Sequence, residues 1–257
     1  MKIDRVIFCF NDNETYTGFW NPFSRVWSQK FDIKPTVIFV GTEQELEKNN
    51  LSEQWGDIVR LDPIPEVVVN PTLDWSVTWA LFYGPTLFPD EVCMTSGIDQ
   101  LPLSTKFFDI INKHDNDKYV VGFAGACLEL PHICPSSHHV AMGEMFKEIY
   151  EIEESWRLEV SKVYSQREKY DRLEDGSFWG LDEAYSSDLL MHCENPNIVY
   201  ENIFHNRWNP YRLCRSRNIS YNPDKLKRGY YSELHSVRPY EQHKEYIDGL
   251  VRVLLDV

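Results

Sequence analysis

The sequence predicts a single α/β domain in which a mostly parallel central sheet is flanked by helices and the C-terminal half is elaborated. Three observations support this prediction. Short β-branched and aromatic runs alternate with helical patterns through the first hundred residues. No linker, low-complexity tract or internal repeat interrupts the 257 residues. Hydrophobic residues make up 42% of the composition and aromatic residues 14%, which allows a sizeable core and excludes a disordered chain.

The first half of the chain is predicted to contain four strands with helices between them. The predicted strands are "RVIFCF" (5–10), "PTVIFVGT" (35–42), "WGDIVRL" (55–61) and "DEVCMTS" (90–96). The predicted helices are "TGFWNPFSRVWSQKF" (17–31), the capped "TEQELEKN" (42–49) and the aromatic "LDWSVTWALFYGPTLF" (73–88). Ligands bind beyond the carboxyl ends of parallel strands. The polar loops "NDNETY" (11–16) and "SGID" (96–99) are therefore predicted to share one site.

The second half begins with a strand-like run and is then mostly helical. "KYVVGFAGACLEL" (118–130) is predicted to be a strand rich in small residues. Residues 136–170 are predicted to be mostly helical because an apolar stripe runs from Met142 to Val163. "PYEQHKEYIDGLVRVLLDV" (239–257) is predicted to be an amphipathic closing helix.

Charge and hydropathy exclude several classes of partner. The formal net charge of -14 argues against broad binding to nucleic acid or to an anionic membrane surface. No window approaches the roughly 18 apolar residues of a membrane span. None of the six cysteines forms a C-x-x-C pair. We therefore expect a cytoplasmic protein with reduced cysteines, no membrane span and no nucleic-acid partner.

Asp99 is the first candidate site residue, because it follows a buried strand in "SGID". A carboxylate in this place could bind a divalent cation that holds a diphosphate. It could also be a turn aspartate that accepts hydrogen bonds from nearby backbone N–H groups. The local pattern alone favours the turn.

Asp182 and Glu183 form the second candidate, at the start of a predicted helix in "FWGLDEA". A positioned carboxylate could take a proton from an acceptor hydroxyl as a general base. Acidic residues are also favoured in a first helical turn by the helix dipole alone. Spacing alone favours this second explanation.

The third candidate is His235 with Arg238, in "ELHSVRPY" shortly before the closing helix. The histidine could ligate a metal, and the arginine could bind phosphate. Upstream lies a basic run that could form a diphosphate cradle or simply a solvated face. Its members are Arg212, Arg215, Arg217, Lys225, Lys227 and Arg228.

Several catalytic motifs are missing from the sequence. It has no G-x-G-x-x-G motif and no P-loop, which disfavours dinucleotide-dependent dehydrogenases and P-loop NTPases. It also has no G-x-S-x-G nucleophile elbow.

The order of these motifs resembles nucleotide-sugar glycosyltransferases of the GT-A fold, which has a Rossmann-like sheet. The elements that carry the resemblance are the "NDNETY" loop, the strand ending in "SGIDQLPLS", "FWGLDEA" and the late "ELHSVRPY". The likeness is closest to the small stand-alone enzymes of viral and microbial glycan clusters. In that family the strand before the metal site often reads like "SDIDMLPLS", and its DxD motif binds the metal on the nucleotide diphosphate.

The resemblance implies roles for particular residues. Asp99 matches the last aspartate of DxD, whereas Gly97 replaces the first, so one carboxylate stands where two are usual. The late His235 matches the other metal ligand, and either Asp182 or Glu183 matches the catalytic base. The implied nucleotide-sugar contacts are Asn11, Asp12, Tyr16, Ser96, Gly97, Asp99 and Arg238.

The implied activity is transfer of a hexosyl or pentosyl group from a nucleoside-diphosphate sugar, such as a UDP-sugar, to a hydroxyl of a glycan acceptor. The resemblance implies assistance by Mn²⁺ or Mg²⁺. The acidic pair Asp182–Glu183 at a helix start favours an inverting reaction, whereas a retaining reaction, which needs no such base, stays open. Residues 1–105 would form the nucleotide-binding half, and residues 106–257 the acceptor-binding half with the closing helices.

Two alternatives stay open at this point. A non-catalytic GT-A-like protein that binds a glycan or a nucleotide is favoured by the missing first aspartate. A sugar-phosphate nucleotidyltransferase is the third possibility. It ranks last because "NDNETY" has neither the glycine nor the basic residue expected of its first loop.

Overall fold

The computed structural model describes residues 1–67, 75–122, 134–170, 180–201, 211–215 and 220–257. The strands are β1 (Arg5–Phe10), β2 (Lys34–Val40), β3 (Asp57–Leu61), β4 (Val92–Thr95), β5 (Gln100–Pro102), β6 (Tyr119–Val121), β7 (His139–Met142), β8 (Ile198–Tyr200), β9 (Arg212–Cys214) and β10 (Glu233–His235). The α-helices are α1 (Trp20–Phe31), α2 (Glu43–Lys48), α3 (Trp75–Tyr83), α4 (Gly143–Ile149), α5 (Trp156–Ser165), α6 (Arg167–Tyr170), α7 (Leu181–His192), α8 (Pro223–Lys227) and α9 (Tyr240–Leu255).

A seven-stranded sheet in the order β3-β2-β1-β4-β7-β6-β8 forms the centre of the described structure. Strands β3, β2, β1 and β4 are parallel, β7 runs against its neighbours β4 and β6, and β8 is parallel to β6. This is the single α/β domain with a mostly parallel sheet that the sequence predicts. The strand order reverses between β1 and β4, since β2 and β3 lie on one side of β1 and β4 lies on the other.

Alternate side chains of β1 enter two separate cores, one on each face of the sheet. Val6, Phe8 and Phe10 pack on the face covered by α1 and α9. Ile7 packs on the opposite face with α3, α4, α5 and α7. A strand buried on both faces is a near-continuous apolar run, and this explains why "RVIFCF" could be recognised.

Helix α2 begins where the sequence predicts a cap. The Thr42 side chain accepts a hydrogen bond from the Glu45 backbone N–H, and the Glu45 carboxylate accepts one from the Thr42 backbone N–H. This reciprocal capping box satisfies two backbone donors that the first helical turn would otherwise leave unpaired.

The second half differs in detail from its prediction. His139–Met142 is a strand at the head of the segment predicted to be mostly helical, and helices follow only from Gly143 onward. The reason is tertiary, because β7 fills the place between β4 and β6 and its Val140 is fully buried there. The strand predicted at 118–130 is present as Tyr119–Val121, and its part from 123 onward lies outside the described residues.

A second, three-stranded sheet in the order β5-β10-β9 has no counterpart in the sequence prediction. Strand β10 is antiparallel to β5 and parallel to β9. Each of these strands has three residues, which is too short for an alternating pattern to stand out.

The described residues include no helix with the length and apolar character needed to cross a bilayer.

Two glycines allow a test of the packing with the same substitution. A Cβ at Gly143 would lie 2.2 Å from the carbonyl oxygen of Phe88 and 2.3 Å from that of Pro85, and backbone cannot move aside cheaply. We expect Gly143→Ala to lower the free energy of unfolding by about 1–3 kcal/mol.

At Gly249 in α9 the atom nearest to an added Cβ would be the Tyr221 hydroxyl oxygen at 3.5 Å, an ordinary contact. Gly249→Ala should therefore stabilise the protein by about 0.5–1 kcal/mol.

Urea denaturation followed by circular dichroism measures both changes. Equal effects of the two substitutions would contradict the close approach of α4 to the residues before β4.

Candidate active site

A cleft of about 300 Å³ opens beside the carboxyl ends of β1 and β4. These two strands flank the point where the strand order reverses, which is the usual ligand position in open α/β sheets. The loop after β1 contributes Asn11, and the turn after β4 contributes Gly97 and Asp99. The residues that precede β7 reach the same edge because β7 runs antiparallel to β4. The structure therefore brings residues of "NDNETY" and "SGID" to one cleft.

The loop after β1 is shaped by its own asparagines. The Asn11 side chain accepts a hydrogen bond from the Asn13 backbone N–H at 3.2 Å, and the Asn13 side chain accepts one from Thr15 at 2.9 Å. Such turns end a strand locally and hold the loop beside the cleft.

The small sheet brings Asp99, His235 and Arg215 together. Asp99 directly precedes β5, His235 ends β10, and Arg215 directly follows β9. The Ser236 backbone N–H donates to the Asp99 carbonyl at 2.8 Å, and the Arg215 backbone N–H donates to the His235 carbonyl at 2.9 Å. The start of β5 thus lies beside the ends of β10 and β9, so the side chains at this edge converge.

The Asp99 carboxylate is the centre of this convergence. Its Oδ2 forms an ion pair with Arg215 and lies 3.5 Å from Nε of Arg238 and 3.6 Å from Nε2 of His235. Asp99 is only 6% exposed, so its charge requires such partners. Burial alone would raise the pKa of Asp99, but the neighbouring His235 and the positive charges of Arg215 and Arg238 outweigh it and lower the pKa.

Arg238 is held in place by the start of α9. Tyr240 packs edge-on against the Phe19 ring at 5.6 Å, and a Cβ at Gly18 would lie 2.3 Å from the Tyr240 ring. This close packing fixes the segment that carries Arg238 against the loop after β1. The guanidinium donates a hydrogen bond to the Tyr16 hydroxyl and lies 5.0 Å from the centre of the Tyr16 ring.

The residues around Asp99 do not fit a divalent metal ion. The described part of the chain contains no three His, Cys, Asp or Glu side chains grouped closely enough to hold one. The predicted ligand pair is Asp99 with His235, and the same carboxylate oxygen is already bonded to Arg215 and close to Arg238. Two unit charges 4 Å apart interact by about 4 kcal/mol at an effective dielectric constant of about 20. A divalent cation bound to this oxygen would lie beside two guanidinium groups and be repelled by both.

Asp182 and Glu183 lie in the first turn of α7 but have different surroundings. Glu183 lines the cleft, and its Oε1 accepts a hydrogen bond from the Ser136 backbone N–H at 3.3 Å. Asp182 lies outside the lining and is 4% exposed. Burial and the neighbouring charge of Glu183 raise the pKa of Asp182 to about 7, although hydrogen bonds from Thr78 and from the backbone oppose the shift. The structure therefore distinguishes Glu183, which lines the cleft, from Asp182, which is buried, although the sequence could not.

The other predicted residues divide between the cleft and its surroundings. Asn11, Tyr16, Gly97, Asp99 and Arg238 line the cleft together with Glu183. His235 lies behind Asp99, outside the lining.

Two predicted contacts serve the fold in the described structure. The Asp12 carboxylate accepts hydrogen bonds from Lys48 at 2.9 Å and from Asn49 at 2.8 Å, which tie the loop to the end of α2. Ser96 is fully buried, and its backbone N–H donates to the Ile7 carbonyl at 2.9 Å.

Among the cleft residues that the sequence analysis did not assign to the site, Arg215 came closest to being identified. It stood in the basic run, but nothing in the spacing separated it from its neighbours, and Arg217 lies outside the described residues. The remaining lining residues carried no sequence signal of a site; among them are Cys9, Thr78, Gln100, Ser136 and Ser137.

Comparison with solved structures finds glycosyltransferases. The galactosyltransferase LgtC, in complex with donor and acceptor sugar analogs, matches with a TM-score of 0.53 and 13% identity over 96% of this chain and 95% of that chain. An active-site mutant of LgtC also gives a TM-score of 0.53, with 13% identity over 96% of this chain and 94% of that chain. The glycosyltransferase GlyE of Streptococcus pneumoniae TIGR4 matches with a TM-score of 0.51 and 12% identity over 100% of this chain. This chain spans 63% of GlyE.

No protein-family model matches the sequence, and no curated protein matches it either. The structural likeness therefore establishes the fold, which is that of GT-A-type glycosyltransferases, as the sequence predicts.

The raised pKa of Asp182 predicts how stability depends on pH. Below about pH 4 the carboxyl is protonated in both the folded and the unfolded chain. Between about pH 4 and pH 7 the unfolded chain releases the proton first, so the free energy of unfolding falls as pH rises. Above about pH 7 the full penalty is present. Asp182→Asn removes this penalty and should raise the free energy of unfolding at pH 8 by about 1–3 kcal/mol, with no gain near pH 4.

Urea denaturation at pH 4, 6 and 8 measures the effect, with Asp90→Asn as the control because Asp90 is exposed. A gain that is independent of pH, or that also occurs in the control, would contradict the burial of a charge at Asp182.

Proposed function

We propose that this chain is a glycosyltransferase that moves a sugar from a nucleoside-diphosphate sugar to a hydroxyl of a glycan acceptor. The observation that carries the proposal is the pairing of two groups in one cleft. Positive side chains gather around Asp99, and Glu183 lines the same cleft. Such a cleft offers cations to a departing diphosphate and a carboxylate to an attacking hydroxyl.

The leaving group sets the main electrostatic demand of this reaction. When the bond between the anomeric carbon and the diphosphate oxygen breaks, its electrons stay on the nucleoside diphosphate. Arg215 and Arg238 line the cleft and can take up this developing charge through charge-assisted hydrogen bonds.

Glu183 is proposed as the catalytic base of an inverting transfer. Its carboxylate accepts the proton of the acceptor hydroxyl, and the hydroxyl oxygen forms the new bond to the anomeric carbon as the old bond breaks. Asp182 is proposed as a positioning residue, because it is buried behind Glu183 and does not line the cleft.

The division of the chain into two halves stays part of the proposal. Strands β1 to β4 and the turn at 96–99 supply the nucleotide-binding side. Residues 106–257 supply the acceptor side and also contribute Arg215 and Arg238, which face the diphosphate. The GT-A-type fold supports this arrangement, since LgtC, which shares it, was solved with donor and acceptor sugar analogs.

A non-catalytic sugar- or nucleotide-binding protein is the second candidate. Gly97 favours it, because one carboxylate of the usual pair is missing. The presence of Glu183 in the cleft favours the enzyme.

A panel of nucleotide sugars tests the proposal directly. Release of nucleoside diphosphate is measured for UDP-, GDP-, CDP- and ADP-sugars, with manganese, magnesium or EDTA, and with glycan acceptors. We expect turnover with at least one donor. Binding of a donor or an acceptor without release or transfer under any condition would favour the second candidate.

Two conservative substitutions test the base. Glu183→Gln removes the proton acceptor while keeping its size, so kcat should fall by about 10²- to 10⁴-fold with donor affinity unchanged. Asp182→Asn leaves the base itself in place and can only alter how Glu183 is positioned, so kcat should fall by about tenfold or less. Single-turnover rates at saturating donor, with donor Kd measured separately, resolve the two effects.

Equal losses in the two variants would contradict the separation of roles. Proton NMR of the product gives the anomeric configuration, and retention of configuration would remove the need for Glu183 as a base.

A further inference from the structure

The cleft presents guanidinium groups where a DxD motif would present carboxylates. The side chain of Asp99 is 9% exposed, whereas those of Arg215 and Arg238 are 29% and 28% exposed. A ligand entering the cleft therefore meets the two arginines before it meets the carboxylate. Each guanidinium has five N–H donors, and Asp99 occupies only part of this capacity.

There is little room for a side chain at position 97, where the second carboxylate of the usual pair would stand. A Cβ at Gly97 would lie 3.2 Å from Oδ1 of Asp99 and 3.2 Å from Oε1 of Gln100. The Gln100 side chain holds this position because its Oε1 accepts a hydrogen bond from the Gly97 backbone N–H at 3.1 Å. The side chains of Asp99 and Gln100 thus pack against the position that a side chain of residue 97 would occupy.

The positions of Arg215 and Arg238 are also fixed by the fold. Arg215 is fixed by the pairing of its backbone with β10, and Arg238 by the packing of Tyr240 against Gly18 and Phe19. Asp99 then draws both guanidinium groups to one oxygen atom. Two arginines held at one point form a suitable partner for a diphosphate, which carries several acceptor oxygens and negative charge.

We infer that this cleft binds the diphosphate of its donor directly through Arg215 and Arg238, without a divalent cation. The inference rests on the proposed function and specifies how that function handles charge. Asp99 is a positioning residue in this arrangement, and its carboxylate holds the two arginines instead of a metal ion.

Binding of nucleoside diphosphates tests the inference without requiring turnover. Isothermal titration calorimetry is done with UDP, GDP, CDP and ADP, each in EDTA, in Mn²⁺ and in Mg²⁺. We expect at least one nucleoside diphosphate to bind in EDTA, with a Kd within about threefold of its value in either metal. We also expect this Kd to rise with salt concentration, because the contacts are between charges.

Each alternative outcome has a separate meaning. Binding that is seen only with a metal, or is more than about tenfold tighter with one, would overturn the inference and leave the glycosyltransferase proposal intact. No binding of any nucleoside diphosphate under any condition, together with no turnover in the donor panel, would overturn both.

Substitution of Asp99 gives opposite expectations for the two arrangements. Asp99→Asn removes the negative charge beside the arginines and keeps an acceptor for their hydrogen bonds. Binding in EDTA should therefore be as tight as in the unsubstituted protein or tighter. If Asp99 were a metal ligand, Asp99→Asn would abolish metal-dependent binding, and that result would overturn the inference.

Substitution of the arginines completes the test. Arg215→Gln and Arg238→Gln should each weaken binding in EDTA by about 10- to 100-fold, because each removes one charge and keeps hydrogen-bonding capacity. Arg228→Gln is the matched control, since Arg228 belongs to the same basic run but is exposed and does not line the cleft.

Circular dichroism confirms that each variant is folded. If Arg215→Gln unfolds because Asp99 is left buried without its partner, the double variant with Asp99→Asn removes the unpaired charge. Wild-type affinity in the folded arginine variants would overturn the inference.

Discussion

The buried carboxylate of Asp99 imposes the constraint on which the site depends. A charge in this position is tolerated only if opposite charges and hydrogen bonds replace the water that it has lost. The chain meets this requirement from three places, Arg215, His235 and Arg238. Arg215 follows β9, His235 ends β10 and Arg238 precedes α9. The ion pairs that compensate one carboxylate therefore also join the C-terminal part of the chain to the turn after β4.

The site contains two acidic positions with opposite electrostatics. Cations surround Asp99 and lower its pKa, so its carboxylate stays charged. Asp182 is buried beside another carboxylate, and its pKa is raised. Environments that push the pKa values of neighbouring acids apart are typical of sites where acids have different tasks. Here the charged acid holds arginines, and Glu183, on the cleft side of Asp182, lines the cleft.

The main sheet and the small sheet contribute different things to the cleft. The main sheet determines where the cleft lies, because the strand order reverses between β1 and β4 and leaves room between the loops that follow these two strands. The small sheet provides the charged groups, because the start of β5 lies beside the ends of β10 and β9. A change of charge on the small sheet can therefore alter ligand chemistry without changing the architecture of the main sheet, which fits a fold that hosts many activities.

The sequence by itself determined the order of elements in the first half, the capping box of α2 and the two loops that meet at one edge of the sheet. These features depend on local patterns, namely apolar periodicity, a cap residue three positions before its glutamate partner and polar residues after buried runs. Only the tertiary structure decided that Glu183 faces the cleft while Asp182 is buried, and that Asp99 meets arginines. Asp99 and Arg215 are 116 positions apart and meet through strands of three residues each. Strands this short carry no periodic signal, and contacts at this separation exist only once the chain has folded.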